Sequence, residues 1–361
     1  AVSTACDIVP VNGENRILAH VGLKQLNDHP RPGIQAMLAM ANVKRRLCVT
    51  DLVFALGPRI NAAGRIEHGR QAVELLLAQD LAQAEQIALR VDGHNTHRQE
   101  LDKDITRESL EMIATDDRLR DAWSTVLFKE TWHKGVIGIV ASRLIEQYYR
   151  PTIVLTESNG KVVGSARSVK GFDVYEAISA CSDLLEQYGG HMYAAGLTMP
   201  LDHVEAFQQR FEEVVRATIS PASRIPMEEV DMEIGLGDID DRLVNILRHM
   251  APYGPANMRP VFLVRGLVDT GSARIVGNDH LKLTLRSMDG QGPRYDAIAF
   301  KQAQHYEMVK RGDPFSALFV IEDNEWQGRT TVQLNIKDIK VGVDAPLEAA
   351  LVDREKARSM I

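Results

Sequence analysis

Residues 81–114, LAQAEQIALRVDGHNTHRQELDKDITRESLEMIA, carry apolar or small side chains at Ala84, Ile87, Val91, Leu101, Ile105 and Met112, with charged residues between them. The spacing is close to 3.5 residues, which predicts one amphipathic helix. At 1.5 Å per residue, about 34 residues would span about 50 Å. That is longer than a typical element of a compact domain, so a rod connecting two domains is expected.

On the N-terminal side, 14–28 and 33–47 show helical spacing, interrupted by Pro30-Arg31-Pro32-Gly33. Next comes 56–65, LGPRINAAGR, which reads as a glycine-bounded loop with Arg59 and Arg65 six residues apart. On the C-terminal side the texture changes. Short β-type runs at 125–128, 152–156 and 162–165 alternate with helical stretches at 137–148, 174–187 and 203–219, the pattern of an α/β unit. Pro221, Ser223 and Pro226 mark a linker, and 243–250 reads as a short helix. Runs at 261–268, 273–275, 281–286, 295–300, 315–321 and 330–339, split by Gly, Asn and Asp, predict a small antiparallel barrel. Residues 346–361 read as a helical tail. The domain organisation expected is 1–78, a connecting helix at 79–120, an α/β domain at 121–222, a barrel at 226–345 and the tail.

A chain of 361 residues with 45% hydrophobic and 25% charged residues belongs with soluble multidomain proteins. No run is long and apolar enough for a membrane helix and no signal peptide precedes the first element, so a cytoplasmic protein without membrane partners is expected. Cys6, Cys48 and Cys181 are too scattered for a disulfide framework or a zinc site, and are expected to be small buried hydrophobes. The net charge of −7 argues against a uniformly basic nucleic-acid binder. Yet 251–312 holds nine Lys/Arg against five acids, while Glu228, Glu229, Asp231, Glu233, Asp238, Asp240 and Asp241 cluster upstream as a solvated or interdomain face. Ala1 is not methionine, and 3–10 reads as the middle of a packed element. A portion of a longer protein is therefore expected, with N-terminal processing as the alternative.

Residues 189–196, GGHMYAAG, form a glycine pair feeding a histidine. If a helix starts at about Tyr193, its free N–H groups beside His191 would suit a phosphate or another anion. Tight packing around a capped histidine would produce the same residues. Gly164-Ser165-Ala166-Arg167-Ser168 ends a strand, where residues two apart share a face, so Ser165 and Arg167 can act together.

These segments, with 5–10 (ACDIVP), 59–65 and 132–143 (WHKGVIGIVASR), resemble in order and spacing the RecJ-type single-strand-specific exonucleases of the DHH phosphoesterase family. The resemblance covers nearly the whole chain, including PYGP at 252–255, HLKL at 280–283, DAIAF at 296–300 and Glu325-Trp326 in the barrel. It implies the remainder of a DHH domain, a DHHA1-like α/β domain and a C-terminal OB-like barrel. It also implies a 5′ to 3′ single-stranded DNA exonuclease of repair and recombination that uses Mn²⁺ or Mg²⁺, with a helicase or single-strand-binding protein as a further partner.

Residue by residue, the resemblance makes Asp7 a metal ligand. Its aspartate-rich and Asp-His-His partners have no match here, so no complete catalytic set is present and this chain alone is expected to bind DNA weakly and cleave nothing. A capping carboxylate is the bland alternative for Asp7. Arg59 and Arg65 would hold phosphates, an arginine's fork being suited to that task, with Asn61 ordering the segment. Surface ion pairs would explain both arginines equally. Ser165, Arg167, Gly189, Gly190 and His191 would hold the nucleic-acid backbone. His133 would contact substrate or cap its helix. In the barrel, Arg259, Arg265, Arg274, Lys282 and Arg286 would track the strand, with Tyr295 and Trp326 as stacking platforms, although Trp326 would equally suit a core. Ala256-Asn257 stands where the family more usually has Gly-Asn. Two other functions fit the residues: a stand-alone nucleic-acid-binding protein, or a DHH phosphoesterase acting on short oligonucleotides, against which the barrel argues.

Overall fold

The computed structural model describes residues 1–43, 45–66, 68–326 and 328–342, and of Trp326 the backbone only. The expected tail at 346–361 lies outside the described residues. The chain packs as two compact units, one of residues 2–6 and 21–227, the other of residue 1, 7–20 and 228 onward.

The helices of the N-terminal third are α1 (Val2–Cys6), α2 (Gly13–Asp28), α3 (Pro32–Met40), α4 (Val49–Asp51), a π turn (Leu52–Leu56), α5 (Gly57–Ile66) and α6 (Arg70–Leu77). The segment expected to be a loop around Arg59 is thus helical, and the helix expected over 33–47 stops at Met40. Gly57 does not break α5 because its missing side chain is needed: a Cβ there would lie 2.8 Å from Cys6 Sγ. Cys181 is buried, whereas Cys6 and Cys48 are only partly so.

The long helix α7 runs from Leu81 to Thr115, with Asp80 capping it by accepting the Gln83 N–H at 2.8 Å. It is not a bare rod, because it packs against α3, α5 and, after the short α8 (Asp117–Arg120), against α9 (Ile137–Gln147). Its buried stripe advances by steps of three and four through Ala84, Ala88, Val91, Asn95, Arg98, Asp102, Ile105, Ser109 and Ile113, with Ile87 beside it.

Five strands form the sheet of this unit: β1 (Thr125–Phe128), β2 (Thr152–Ser158), β3 (Lys161–Arg167), β4 (Gln187–His191) and β5 (Ala194–Met199). Their order is β1-β2-β3-β5-β4, with β1 and β2 parallel and the other pairs antiparallel. Alternate residues feed two layers. Leu127 and Val154 pack with Val136, Val140 and Leu144 around α9. On the other face, Val126, Ile153, Leu155 and Leu197 pack with α10 (Val174–Ser179) and with Phe207 and Phe211 of α11 (Val204–Thr218).

The glycine-histidine segment corrects the expectation of a helix start. Residues 189–196 are a β4–β5 hairpin, and the helix expected to reach residue 187 ends at Ser179. Gly190 carries φ +153°, and a Cβ there would lie 2.3 Å from the Ala194 carbonyl oxygen, so close strand approach decides the conformation.

The second unit begins with β6 (Met232–Glu233) and α12 (Asp241–Met250), which Asp240 caps through the Leu243 N–H. Then come β7 (Phe262–Asp269), β8 (Arg274–Val276), β9 (His280–Ser287), β10 (Tyr295–Ala299), α13 (Tyr306–Arg311), β11 (Phe315–Trp326) and β12 (Arg329–Val341). The pairing of β7 with β9 closes a ring β7-β11-β12-β10-β9 around Leu267, Leu283, Ala297, Phe319 and Leu334. The ring is not wholly antiparallel as expected, because β10 and β12 run parallel, α13 carrying the chain between β10 and β11. Ahead of β7, Ala256 adopts φ +60°, so it fills a left-handed position where glycine is the easier residue.

Candidate nucleic-acid interface

The register of the sheet sets the site. Ser165 pairs with Gly196 and Gly196 with Gly189; one row further, Arg167 pairs with Ala194 and Ala194 with His191. Directly paired residues share a face, and Val154, paired with Ser165, is buried in the α9 layer. The rows therefore lie on the α9 side. Where β5 and β4 extend past the residues packed under α9, Gly196, Gly189 and His191 are exposed. The result is a shelf of nearly bare backbone between Ser165 and Arg167 on one side and His191 on the other.

The start of α9 forms the wall of this shelf. A Cβ on Gly138 would lie 2.7 Å from Ser165 Oγ and 2.9 Å from Arg167 Nη2, so only glycine lets the helix approach. No side chain caps α9, although its Ile139 N–H already donates to the Val136 carbonyl at 2.8 Å. His133 Nδ1 accepts the Gly135 N–H at 3.1 Å, which orders the turn into the helix. Arg65, at the end of α5, donates to the Gly135 carbonyl at 3.1 Å, and a Cβ on Gly135 would lie 2.3 Å from the Arg65 carbonyl oxygen. Thus α5, α9 and β3 converge.

Charge is unbalanced there. Arg167 donates through Nη1 to Ser165 Oγ at 3.1 Å and to the Ala166 carbonyl at 2.7 Å, and among the described residues it has no carboxylate partner. Burial, then the charge of Arg65, lower its pKa. Arg65 likewise has no carboxylate partner among the described residues. Arg98 is buried; its pKa is lowered mainly by that burial, Asp102 opposing the shift while Arg143 and Arg65 add to it. Burial, then His97 and Lys134, push the His133 imidazole below its ordinary value, so it is neutral at pH 7. Arg150 provides a contrast: it is just as buried as Arg98, but it donates to Thr125 Oγ1 and to the carbonyls of Leu119 and Ala122, and so is a structural brace.

The structure brings Arg65, His133, Ser165, Arg167, Gly189, Gly190 and His191 onto one α/β unit. Arg59 is otherwise engaged, donating to Asp92 at 2.8 Å and to the Ala55 carbonyl at 2.8 Å. Asn61 is exposed on α5. Asp7 is exposed after α1, and among the described residues no group of three or more His, Cys, Asp or Glu side chains could hold a metal. The residues described therefore do not amount to a Mn²⁺ or Mg²⁺ site.

Sequence reading missed Asn95, Arg98, Asp102 and Arg143. Asn95 Oδ1 accepts from Arg98 at 2.7 Å, and Arg143 grips Asp102 through bonds of 2.7–2.9 Å, tying α7 to α9. The available signal is the three-four stripe of α7, which continues through polar residues between Val91 and Ile105.

In the barrel, inward Leu281, Leu283 and Leu285 alternate with Lys282 and Arg286, and Arg274 pairs with Lys282. Arg259 lies over the Tyr253 ring at 4.5 Å and near Glu322 at 3.6 Å, and Arg265 pairs with Glu233 at 3.0 Å. Tyr295 packs against the core and its hydroxyl donates to the Ile239 carbonyl, which makes it an anchor and not the open platform expected. The side chain of Trp326 lies outside the described residues.

Comparison with known proteins gives the same two regions their relatives. Residues 122–217 match the DHHA1 domain and 230–338 the RecJ OB domain. The chain is 35% identical over 345 residues to the single-stranded-DNA-specific exonuclease RecJ of Bacillus subtilis (strain 168), covering 94% of this chain and 43% of that protein. It is 33% identical over 348 residues to RecJ of Dickeya dadantii (strain 3937), covering 60% of it. RecJ from Thermus thermophilus, solved with Mg²⁺, superposes with a TM-score of 0.78 at 28% identity over 94% of this chain and 51% of that one. The chain thus spans about half the length of the relatives it matches. In its matched DHHA1 and RecJ OB domains, in identity along nearly its whole length and in fold, this chain is similar to the RecJ exonucleases.

Proposed function

We propose that this chain is the strand-holding part of a metal-dependent 5′ to 3′ exonuclease for single-stranded DNA, acting in repair and recombination in the cytoplasm. What carries the reading is the pair Arg65 and Arg167, both without a carboxylate partner among the described residues, beside the uncapped start of α9 and the bare Gly189–Gly196 shelf. Two guanidinium forks and a hydroxyl suit a phosphate, and a surface without side chains admits the sugar-phosphate backbone closely. Arg98 raises the local positive potential, and Asp102 sets the angle between α7 and α9. His191, across Ala194 from Arg167, closes the far side.

Hydrolysis needs a metal clamp, for which Asp7 would supply one carboxylate and the part of the relatives' length not spanned here would supply the rest. RecJ relatives have been solved with Mg²⁺ and with Mn²⁺. A helicase or a single-strand-binding protein would deliver the strand. No described helix is long and apolar enough to cross a membrane.

The test is direct. The purified chain should bind a labelled single strand in preference to duplex, with affinity falling steeply as salt rises, and should leave the strand intact when Mn²⁺ is added. Equal binding of duplex and single strand would refute the strand-holding role. Digestion abolished by Asp7→Ala would refute the division of labour.

A further inference from the structure

The barrel offers a second chemistry, resting on the strand-holding reading above. Among the described residues of its unit, Phe300 is the only exposed aromatic among the large hydrophobics, at 50%. It is not loose. It follows β10 directly, His280 opens β9, and the two rings meet edge to face with centroids 5.2 Å apart. Lys301 donates its N–H to His280 Nδ1 at 3.1 Å, which fixes the histidine against the chain beside Phe300. The alternation of both strands sends these side chains outward: Leu281, Leu283, Ala297 and Ala299 point into the core, leaving His280, Lys282, Ile298 and Phe300 on the outer face. One row along, Arg274 pairs with Lys282 and Lys282 with Ile298. The acids nearby are Asp279 in the β8–β9 turn and Asp296, which accepts from Thr284 at 3.0 Å.

We propose that Phe300, held by His280, is a stacking platform for one unstacked base of the single strand, with Lys282 and Arg274 taking the adjoining phosphates. A fixed aromatic face costs little ordering on binding and accepts any base, while paired bases in a duplex cannot lie on it. The barrel then selects single strands through base stacking, and the shelf of the α/β unit holds phosphate.

The experiment measures affinity of the full chain for a short oligothymidylate and for a deoxyribose-phosphate oligomer of equal length without bases, at one salt concentration. The wild type should favour the base-bearing strand about 5- to 150-fold, the range of one base–aromatic stack. Phe300→Ala and Phe300→Leu should remove most of that preference while leaving abasic affinity and the salt slope unchanged; Phe300→Tyr should keep it. Lys282→Gln should weaken both ligands equally and flatten the salt slope. A preference unchanged in Phe300→Ala and Phe300→Leu overturns the platform, as does equal wild-type binding of both ligands, which leaves the strand-holding reading standing. Failure to bind either ligand overturns both.

Discussion

The α/β unit and the barrel both carry basic residues, but they differ in where carboxylates meet them. In the α/β unit, Arg65 and Arg167 lack carboxylate partners among the described residues, while Asp102 offsets Arg98 and, together with Glu146, Arg143. In the barrel unit several cations are matched, Arg248 to Asp323 at 2.7 Å, Arg265 to Glu233 at 3.0 Å and Arg311 to Asp313 at 2.8 Å. Uncompensated, partly buried charge is costly unless an anion completes it, whereas exposed matched pairs contribute little to either stability or affinity. Under the proposed function, the first arrangement would take a phosphate at a defined place. The second would leave recognition to an aromatic face and a few spare cations.

Removing Asp102, the carboxylate shared by Arg98 and Arg143, is the strongest way to break this contrast. Asp102→Asn should destabilise the α/β unit by about 3 to 5 kcal/mol, since it leaves the buried Arg98 guanidinium without its carboxylate. In a melting experiment, added inorganic phosphate should restore more stability to this variant than to the wild type. An equal response of both would mean that the arginines do not present an anion site. Next in size, Arg167→Ala should cost about 1.5 to 3 kcal/mol of strand affinity, roughly 10- to 150-fold. Arg265→Ala, which breaks a matched pair in the barrel, should change affinity by less than about threefold in the same titration.

Tyr295→Phe sharpens the assignment within the barrel. It should lower stability by about 1 kcal/mol through the lost bond to the Ile239 carbonyl, with strand affinity unchanged. Phe300 variants should behave in the reverse sense. The smallest effect concerns His133. Its folded pKa lies below the unfolded value near 6.5, so its contribution to stability is present above that pH and is lost as pH falls toward the folded pKa. His133→Asn should flatten that part of the stability profile, as measured by denaturant titration between pH 7.5 and about 5.

The fold was legible where periodicity is strong. The α7 helix, expected over 81–114, is observed over Leu81–Thr115, and the six runs read as barrel strands each fall on one of β7 to β12. It was not legible where small residues dominate. Glycine and alanine at 189–196 carry no period, so only pairing with β5 identifies the segment as a strand. Likewise Gly57 and Gly64 read as loop boundaries, yet α5 tolerates both, Gly57 because it packs against Cys6. The residues at the site follow the same division. Ser165 and Arg167 could be paired from strand geometry alone, whereas the engagement of Arg59 with Asp92 and the buried Asn95-Arg98-Asp102 stripe depend on which helix faces which.

The sequence by itself determined the long helix α7, the succession of strands β7 to β12, the basic balance of 251–312 and the motifs that carry the family resemblance, because period and residue type are local properties. Tertiary structure alone decided which arginines lack a carboxylate partner among the described residues, that the glycine-histidine segment is a shelf and not a helix start, and that Phe300 and not Tyr295 faces outward. Those outcomes depend on register and burial, which bring together residues far apart in the chain.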